Sequence, residues 1–263
     1  MEKDILAKVL ELVKEASALM KTDHLEIRDK GDVTNIVTSS DIAVQDYLVK
    51  GLSSILEGSH FYCEEEDLKE TRGEYIWIID PIDGTANFSR GIDHCCISVA
   101  LSHYGELELG VVCSPWRSET YYAQKGKGAF LDGKPIKVSD RPMEAGLFCT
   151  AMSTYNKQWA KACSDIIYDI YMRCNDTRRF GSAALELCFM ARGMVELYFE
   201  MRLQPWDYAA ASLILREAGG FIAGWDSLEP SLSRQSLVVA ANSRKTLDAL
   251  LEAVHRHMDR LPY

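Results

Sequence analysis

The chain has 263 residues, 47% hydrophobic and 26% charged, a composition that can bury a sizeable core and excludes a low-complexity or disordered chain. Lys and Arg total 29 against 39 Asp and Glu, a formal net charge of −10 that disfavours nucleic acid and other polyanions as partners. A small phosphorylated ligand stays open, because bound cations reverse a local field.

The N-terminal stretch carries no signal-peptide core. Ile5, Val9, Val13, Ala16 and Met20, with Leu6 and Leu10 beside them, instead fall at helical spacing and predict an amphipathic helix over residues 4–20. Val44, Leu48, Leu52 and Ile55 mark a second helix, with Ser39 and Ser40 as capping candidates. From Tyr75 the pattern turns extended. The run YIWII is continuously apolar and of strand length, which predicts a strand covered on both faces. CCISVALSHYGELELGVVCS reads as two strands turning near Tyr104-Gly105. ETYYAQ and GAFLDGKPIKV continue the meander, with Asp132-Gly133 as a hairpin signal.

Beyond residue 180, SAALELCFMAR predicts a helix and VELYF a short strand. DYAAASLILREAGG predicts a helix stopped by Gly219-Gly220, and SLVVAAN a buried strand. Asn242 and Ser243 are placed to cap a last helix reaching about Arg260. The expected fold is an α/β layered sandwich of alternating helix and sheet layers. A single domain is expected over residues 1–263, with halves of about 1–140 and 141–263 and no clear boundary between them. Eight cysteines lie scattered through apolar segments without a C-x-x-C pair, and no run of 18 apolar residues occurs. A cytoplasmic protein with buried thiols and no structural zinc is expected.

The stretch WIIDPIDGTANF, residues 77–88, concentrates the polar chemistry. Pro81 holds Asp80 extended and removes one backbone N–H, and a turn then returns Asp83 toward the same side. Two carboxylates with the Ile82 carbonyl between them form a set of hard oxygen ligands suited to Mg²⁺ or Mn²⁺ and not to zinc. The same residues equally describe a polar turn in which Asp80 bonds its own backbone. The acids are three apart, have Pro between them and lie far from the chain start, which sets them apart from haloacid-dehalogenase-type phosphatases. FYCEEED places Glu64, Glu65 and Glu66 after a short apolar run, where by themselves they read as a solvated acidic loop. Asp207 sits at a helix start, where by itself it reads as an N-cap contributing ~1 kcal/mol.

Together, WIIDPIDGTANF and WDYAAASLILREAGG resemble the two signatures of the inositol monophosphatase family, in that family's order. KGDVTNIVTSSD, CEEED, AQKGKGAFLDGKPIKVS and RRFGSAALELC resemble further family segments, so the likeness covers nearly the whole chain. Two departures are Cys63, where Gly is usual, and GFIAGWDSLEP, where members commonly carry an Asp-x-x-Gly-Gly turn. The resemblance implies a lithium-sensitive phosphomonoesterase acting on inositol 1-phosphate, with about two to three Mg²⁺ ions per site and Mn²⁺ as a substitute. It also implies a homodimer, while the charge and the lack of a long apolar run give no expectation of a nucleic-acid or membrane partner. Fructose bisphosphate, histidinol phosphate or 3′-phosphoadenosine nucleotides stay open as substrates, as does a regulatory member that binds a partner protein.

The residue roles follow from the same resemblance. Glu64, Asp80 and the Ile82 carbonyl match the ligands of a first metal. Asp80, Asp83 and Asp207 match those of a second, and a third metal is implied near Glu64. Thr85, with Asp41 behind it, would orient and deprotonate the attacking water alongside Glu64. Asp83, Gly84, Thr85, Gly181, Ser182, Ala183, Glu200 and Asp207 match substrate-side positions. Gly84-Thr85 and the helix start at Gly181-Ser182-Ala183 supply N–H donors, and Glu200 accepts from ring hydroxyls. Ser182 as a plain helix cap and Glu200 as an exposed strand-end acid remain the simpler readings. Lys30, Arg178 and Arg179 stay open between the site and other roles. KGKG at 125–128 is a glycine turn with no helix behind it, and His94-Cys95-Cys96 alternates faces.

Overall fold

The computed structural model describes residues 3–21, 26–32, 35–65, 69–152, 157–226 and 228–257. The Lys30 side chain, Glu66 and the stretch 258–260 expected to finish the last helix lie outside the described residues.

The apolar period of the N-terminus forms α1 (Lys3–Ser17), followed by a 3₁₀ turn to Met20. A hairpin of β1 (Ile27–Asp32) and β2 (Asn35–Thr38) leads into α2 (Ser39–Ile55). β3 (His60–Cys63) and β4 (Tyr75–Asp83) precede one helical turn, α3 (Thr85–Phe88). β5 (Cys96–His103), β6 (Glu106–Ser114), β7 (Glu119–Gln124), β8 (Ala129–Leu131) and β9 (Lys134–Ile136) form the expected meander, with turns at Tyr104-Gly105 and Asp132-Gly133. The second half contains β10 (Leu147–Ala151), α4 (Ala160–Tyr171), β11 (Asp176–Arg178), α5 (Ala183–Ala191) and β12 (Leu197–Leu203). It continues with α6 (Pro205–Glu217), β13 (Phe221–Ala223), β14 (Ser236–Ala241) and α7 (Arg244–His257).

Two larger sheets result. One has seven strands in the order β3-β4-β5-β6-β7-β8-β9, the other five in the order β11-β10-β12-β14-β13. The period-2 alternation of the strands assigns their faces. Trp77, Ile79, Val99 and Leu101 point into a cluster with Val9, Val13, Val44 and Leu48 of α1 and α2. Ile78, Ala100 and Val112 point the other way, onto α5 and α6. On the second sheet Tyr198 and Val238 meet those same two helices, while Phe199 and Val239 face α4 and α7 through Ile166 and Leu250. The layers run helix, sheet, helix, sheet, helix, and α5 and α6 form the central one. Every residue of α5 is buried, because this layer has a sheet on each side.

Three local expectations change. α2 is capped by Thr38, whose hydroxyl accepts from the Asp41 N–H at 3.4 Å while Asp41 Oδ2 accepts from the Thr38 N–H at 2.8 Å. The Ser39 hydroxyl accepts from the Glu26 N–H instead, at 3.2 Å. At α7 only Ser243 caps, accepting from the Thr246 N–H at 3.2 Å, while the Asn242 amide donates to the Ser139 and Arg141 carbonyls. The chain does not turn at Asp80. β4 continues to Asp83 through an irregularity in its pairing with β5, and the turn follows at Gly84.

Candidate active site

The irregularity in β4 keeps Asp80 and Asp83 on one strand while freeing the residues between them from the ladder. Asp80 Oδ1 accepts from the Ile82 N–H at 2.9 Å, so Asp80 bonds its own backbone as the polar-turn reading expected, but within a strand. Gly84 is required where the chain leaves the strand. Its φ is +91°, and a Cβ there would lie 3.0 Å from the His94 carbonyl oxygen and 3.2 Å from that of Gly181. Asn87 pins this corner by donating to the carbonyls of His94 (2.8 Å) and Phe180 (2.7 Å), a role its sequence position gives no sign of. Thr85 Oγ1 donates to the Ile82 carbonyl at 3.0 Å and lies 3.5 Å from Asp41 Oδ1.

The second half closes the site through helix starts. Asp207 is the third residue of α6, not its N-cap, and accepts from the Gln204 N–H at 2.7 Å. At α5 the Ser182 hydroxyl does not cap its own helix. It donates to Asp83 Oδ2 at 2.6 Å, and the Ala184 N–H donates to the same oxygen at 2.7 Å. Asp83 of the first sheet thus caps a helix about a hundred residues away, and the positive helix end holds its charge. The Gly181 N–H is also taken, by Glu186 Oε1 at 2.8 Å, together with the Phe180 N–H at 2.9 Å. Of the N–H donors expected at Gly181-Ser182-Ala183, that of Gly181 is therefore already engaged by a carboxylate. The KGKG turn likewise spends its Gly126 and Gly128 N–H groups on Glu217 of α6.

One cleft of about 410 Å³ brings these residues together. Glu64, Asp80, Ile82, Asp83, Gly84 and Thr85 line it from the first half, and Gly181, Ser182, Ala183, Glu200 and Asp207 from the second. Asp41 stands behind Thr85. Asn87, Arg179, Glu186 and Arg202 also line the wall; Arg179 was left open from sequence, and the other three were not assigned to a site. Arg178 turns back onto its own strand, pairing with Asp176 and the Thr177 carbonyl. Glu200 accepts from the Tyr198 hydroxyl at 2.8 Å.

Crowded carboxylates define the electrostatics. Burial, then the charges of Glu64, Asp83 and Asp207, push the Asp80 carboxyl well above the usual range. Burial, then Asp83 and Glu64, do the same to Asp207. Burial raises Asp83 to about 6 against the opposing bonds from Ser182 and Ala184, and raises Asp41 to about 7 against those from Thr38. Glu200 is raised by burial to about 7 and Glu186 to about 8. Among the described residues, no three His, Cys, Asp or Glu side chains close into a ready-made metal cage. The set is open and made of oxygen. That fits a hard cation such as Mg²⁺, which keeps several waters and binds through a few carboxylates plus a substrate phosphate. Cys96 lies beside Asp83, and burial pushes its thiol well above the usual range.

Among the described residues, no helix is long and apolar enough to cross a membrane. The model of the inositol monophosphatase family matches residues 1–259. The chain is 33% identical over 248 residues to the Nus factor SuhB of Vibrio cholerae, covering 92% of this chain and 90% of that protein. Its structure is similar to the extragenic suppressor protein SuhB of Bartonella henselae, with TM-score 0.87, 26% identity and coverage of 96% of this chain and 98% of the other. It is also similar to the IMPase of Thermotoga maritima, with TM-score 0.85, 30% identity and coverage of 97% and 98%. The layer order, the two acid-bearing segments and this match over nearly the full length agree: the chain belongs to the inositol monophosphatase family.

Proposed function

We propose that this chain is a Mg²⁺-dependent phosphomonoesterase that hydrolyses inositol 1-phosphate or a closely related polyol phosphate to the free polyol and phosphate. The observation that carries this reading is the meeting of Glu64, Asp80, Asp83 and Asp207, from three separate segments, in one cleft with Thr85. Glu64, Asp80 and the Ile82 carbonyl would hold one ion, and Asp80, Asp83 and Asp207 another. Bound Mg²⁺ offsets the carboxylate repulsion, neutralises the ester phosphate and makes a water nucleophilic. The N–H groups of Gly84 and Thr85 hold the phosphate. Thr85 Oγ1 orients the attacking water and passes its proton toward Asp41, whose carboxyl, raised to about 7, suits proton transfer near neutral pH. Glu64, which lines the same cleft, assists. Glu200 accepts from the hydroxyls of the leaving polyol. Seven of the eight cysteines are buried, which supports a reducing cytoplasmic setting.

The test is phosphate release from a panel of esters. Inositol 1-phosphate is expected to be among the fastest, with activity abolished by EDTA, restored by Mg²⁺ or Mn²⁺ and inhibited by Li⁺. A folded, Mg²⁺-binding protein that releases phosphate from none of them would sink the reading. A second reading, a member that works by binding a partner, is favoured by the name Nus factor carried by the V. cholerae relative, and that same negative result would support it.

Melting curves check the metal site independently. Asp83, Asp41, Glu200 and Glu186 all have raised folded-state pKa values, to about 6, 7, 7 and 8. Such groups contribute stability that is fully present below their unfolded values near 4 and is lost as pH rises through the folded ones. In EDTA, Tm is expected to fall from about pH 4 to about pH 8. Mg²⁺ binds the deprotonated cluster, so its stabilisation should grow over the same interval, reaching ~2.7 kcal/mol at a hundredfold excess over Kd. A Mg²⁺ shift that is absent, or equal at both ends of the range, would contradict the site.

A further inference from the structure

We infer that Lys69 and Gln45 are positioning residues for Glu64. They clamp the backbone that presents its carboxylate to the cleft, and Lys69 ties that backbone to the start of α6, which carries Asp207. The inference rests on the phosphatase reading above, which assigns Glu64 and Asp207 to metal.

Glu64 stands where its strand stops. The parallel ladder of β3 on β4 ends at Cys63 and Ile79, and the Glu64 N–H reaches back to the Ile79 carbonyl at 3.1 Å. That bond sets Glu64 beside Asp80, the next residue of β4, whose carboxyl it helps to raise. The carbonyls of residues 63, 64 and 65 lie past the ladder and need donors from elsewhere. All three find side chains. Lys69 Nζ donates to the Cys63 carbonyl, and to the Glu64 carbonyl at 2.7 Å. The Gln45 amide, buried on α2, donates to the Glu65 carbonyl at 2.8 Å and accepts from the Glu65 N–H at 3.0 Å. Both peptide units flanking Glu64 are thus held at each end: one by Lys69 and Ile79, the other by Lys69 and Gln45.

The returning chain delivers Lys69 to this place. Lys69 bridges Tyr62, and the Glu70 N–H donates to the Phe61 carbonyl at 3.0 Å. The Lys69 ammonium also lies 4.3 Å from the centre of the Trp206 ring, which Tyr62 meets edge-on at 5.1 Å. Trp206 directly precedes Asp207 in α6. One ammonium therefore touches the backbone of Glu64 and the ring next to Asp207, two acids from different halves of the chain.

Charge and position predict opposite effects for Lys69. A lysine acting only through its charge would repel Mg²⁺, so its removal would tighten the metal. A lysine that holds a ligand in place loosens the metal when removed, by about tenfold for a partner behind a ligand.

Calorimetric Mg²⁺ titrations, with hydrogen exchange of the metal-free proteins, test this. Lys69→Met should weaken Mg²⁺ binding by about tenfold. Lys69→Arg keeps the charge, the donors and the ring contact, and should recover most of that loss. Gln45→Leu alters no charge and should also weaken binding. Lys69 is exposed, so its variants should fold even where Gln45→Leu does not. In a Glu64→Gln background, Lys69→Met should have no further effect. The Glu64 and Glu65 amides should exchange about tenfold faster in Lys69→Met than in the parent, with β5 unchanged. Tighter or unchanged Mg²⁺ binding in Lys69→Met overturns the inference, as does a loss that persists in full in the Glu64→Gln background. If the parent itself binds no Mg²⁺, the phosphatase reading has failed and exchange decides. Faster exchange at residues 64 and 65 then supports the clamp, and unchanged exchange overturns it.

Discussion

Asp207→Asn should lower kcat by about 10²–10³-fold and raise the Mg²⁺ concentration needed for half-maximal rate, since one charged ligand is worth several kcal/mol of transition-state stabilisation. The fold should survive. Asp207 accepts one N–H bond, from Gln204, and an asparagine oxygen can accept it too. In EDTA the variant should melt higher than the parent, because a buried acid that resists ionisation is replaced by a neutral group. Glu200→Gln should behave differently. Glu200 accepts from the Tyr198 hydroxyl and faces the cleft from β12. Removing one charged acceptor should cost roughly 1.5–3 kcal/mol in kcat/KM for inositol phosphate, little for p-nitrophenyl phosphate, and leave the Mg²⁺ requirement unchanged. A Mg²⁺ titration of both variants on both substrates separates the two roles. If the Mg²⁺ requirement shifts equally in both, the assignment of Asp207 to metal and Glu200 to hydroxyls is wrong.

Gly110→Val should damage stability and activity together, although Gly110 is in the middle of a strand and outside the cleft. Gly110 pairs with Ala100 and Ala123, and a Cβ there would lie 2.5 Å from the Ala210 carbonyl oxygen of α6. The obstructing atom is backbone, so the whole helix must move. Overpacking of this kind costs ~1–3 kcal/mol or more. α6 carries Asp207 one turn before Ala210, so its displacement should weaken Mg²⁺ binding as well. The expected result is a lower urea midpoint and a raised Mg²⁺ requirement in the same protein. A destabilised variant with an unchanged Mg²⁺ requirement would show that α6 does not transmit the clash to the site.

Elements with strong local signals were legible before any coordinates. α1 and α2 show a clear helical period, β4 to β9 show strand runs with turn residues between them, and α6 ends at a glycine pair. The acids at 64, 80, 83 and 207 were legible only through the resemblance of their segments to a family, because each by itself read as a turn, loop or cap acid. β10, α4 and β11 were not anticipated. In α4, Cys163, Ile166 and Ile170 fall at helical spacing and that period was overlooked, while β11 is too short and polar to signal a strand.

What the amino-acid order determines by itself is therefore local: periodicity, turn chemistry and the presence of hard oxygen ligands. The tertiary structure decides where those ligands' remaining lone pairs and charges are satisfied. Thr38 caps α2 in place of its serine neighbours because β2 delivers it with the backbone extended. Asp83 is held by Ser182 and Ala184, and Gly181 is closed off by Glu186, because the central helix layer brings the start of α5 against the end of β4. A side chain's partner across a hundred residues is a property of layer packing, and no local window of sequence contains it.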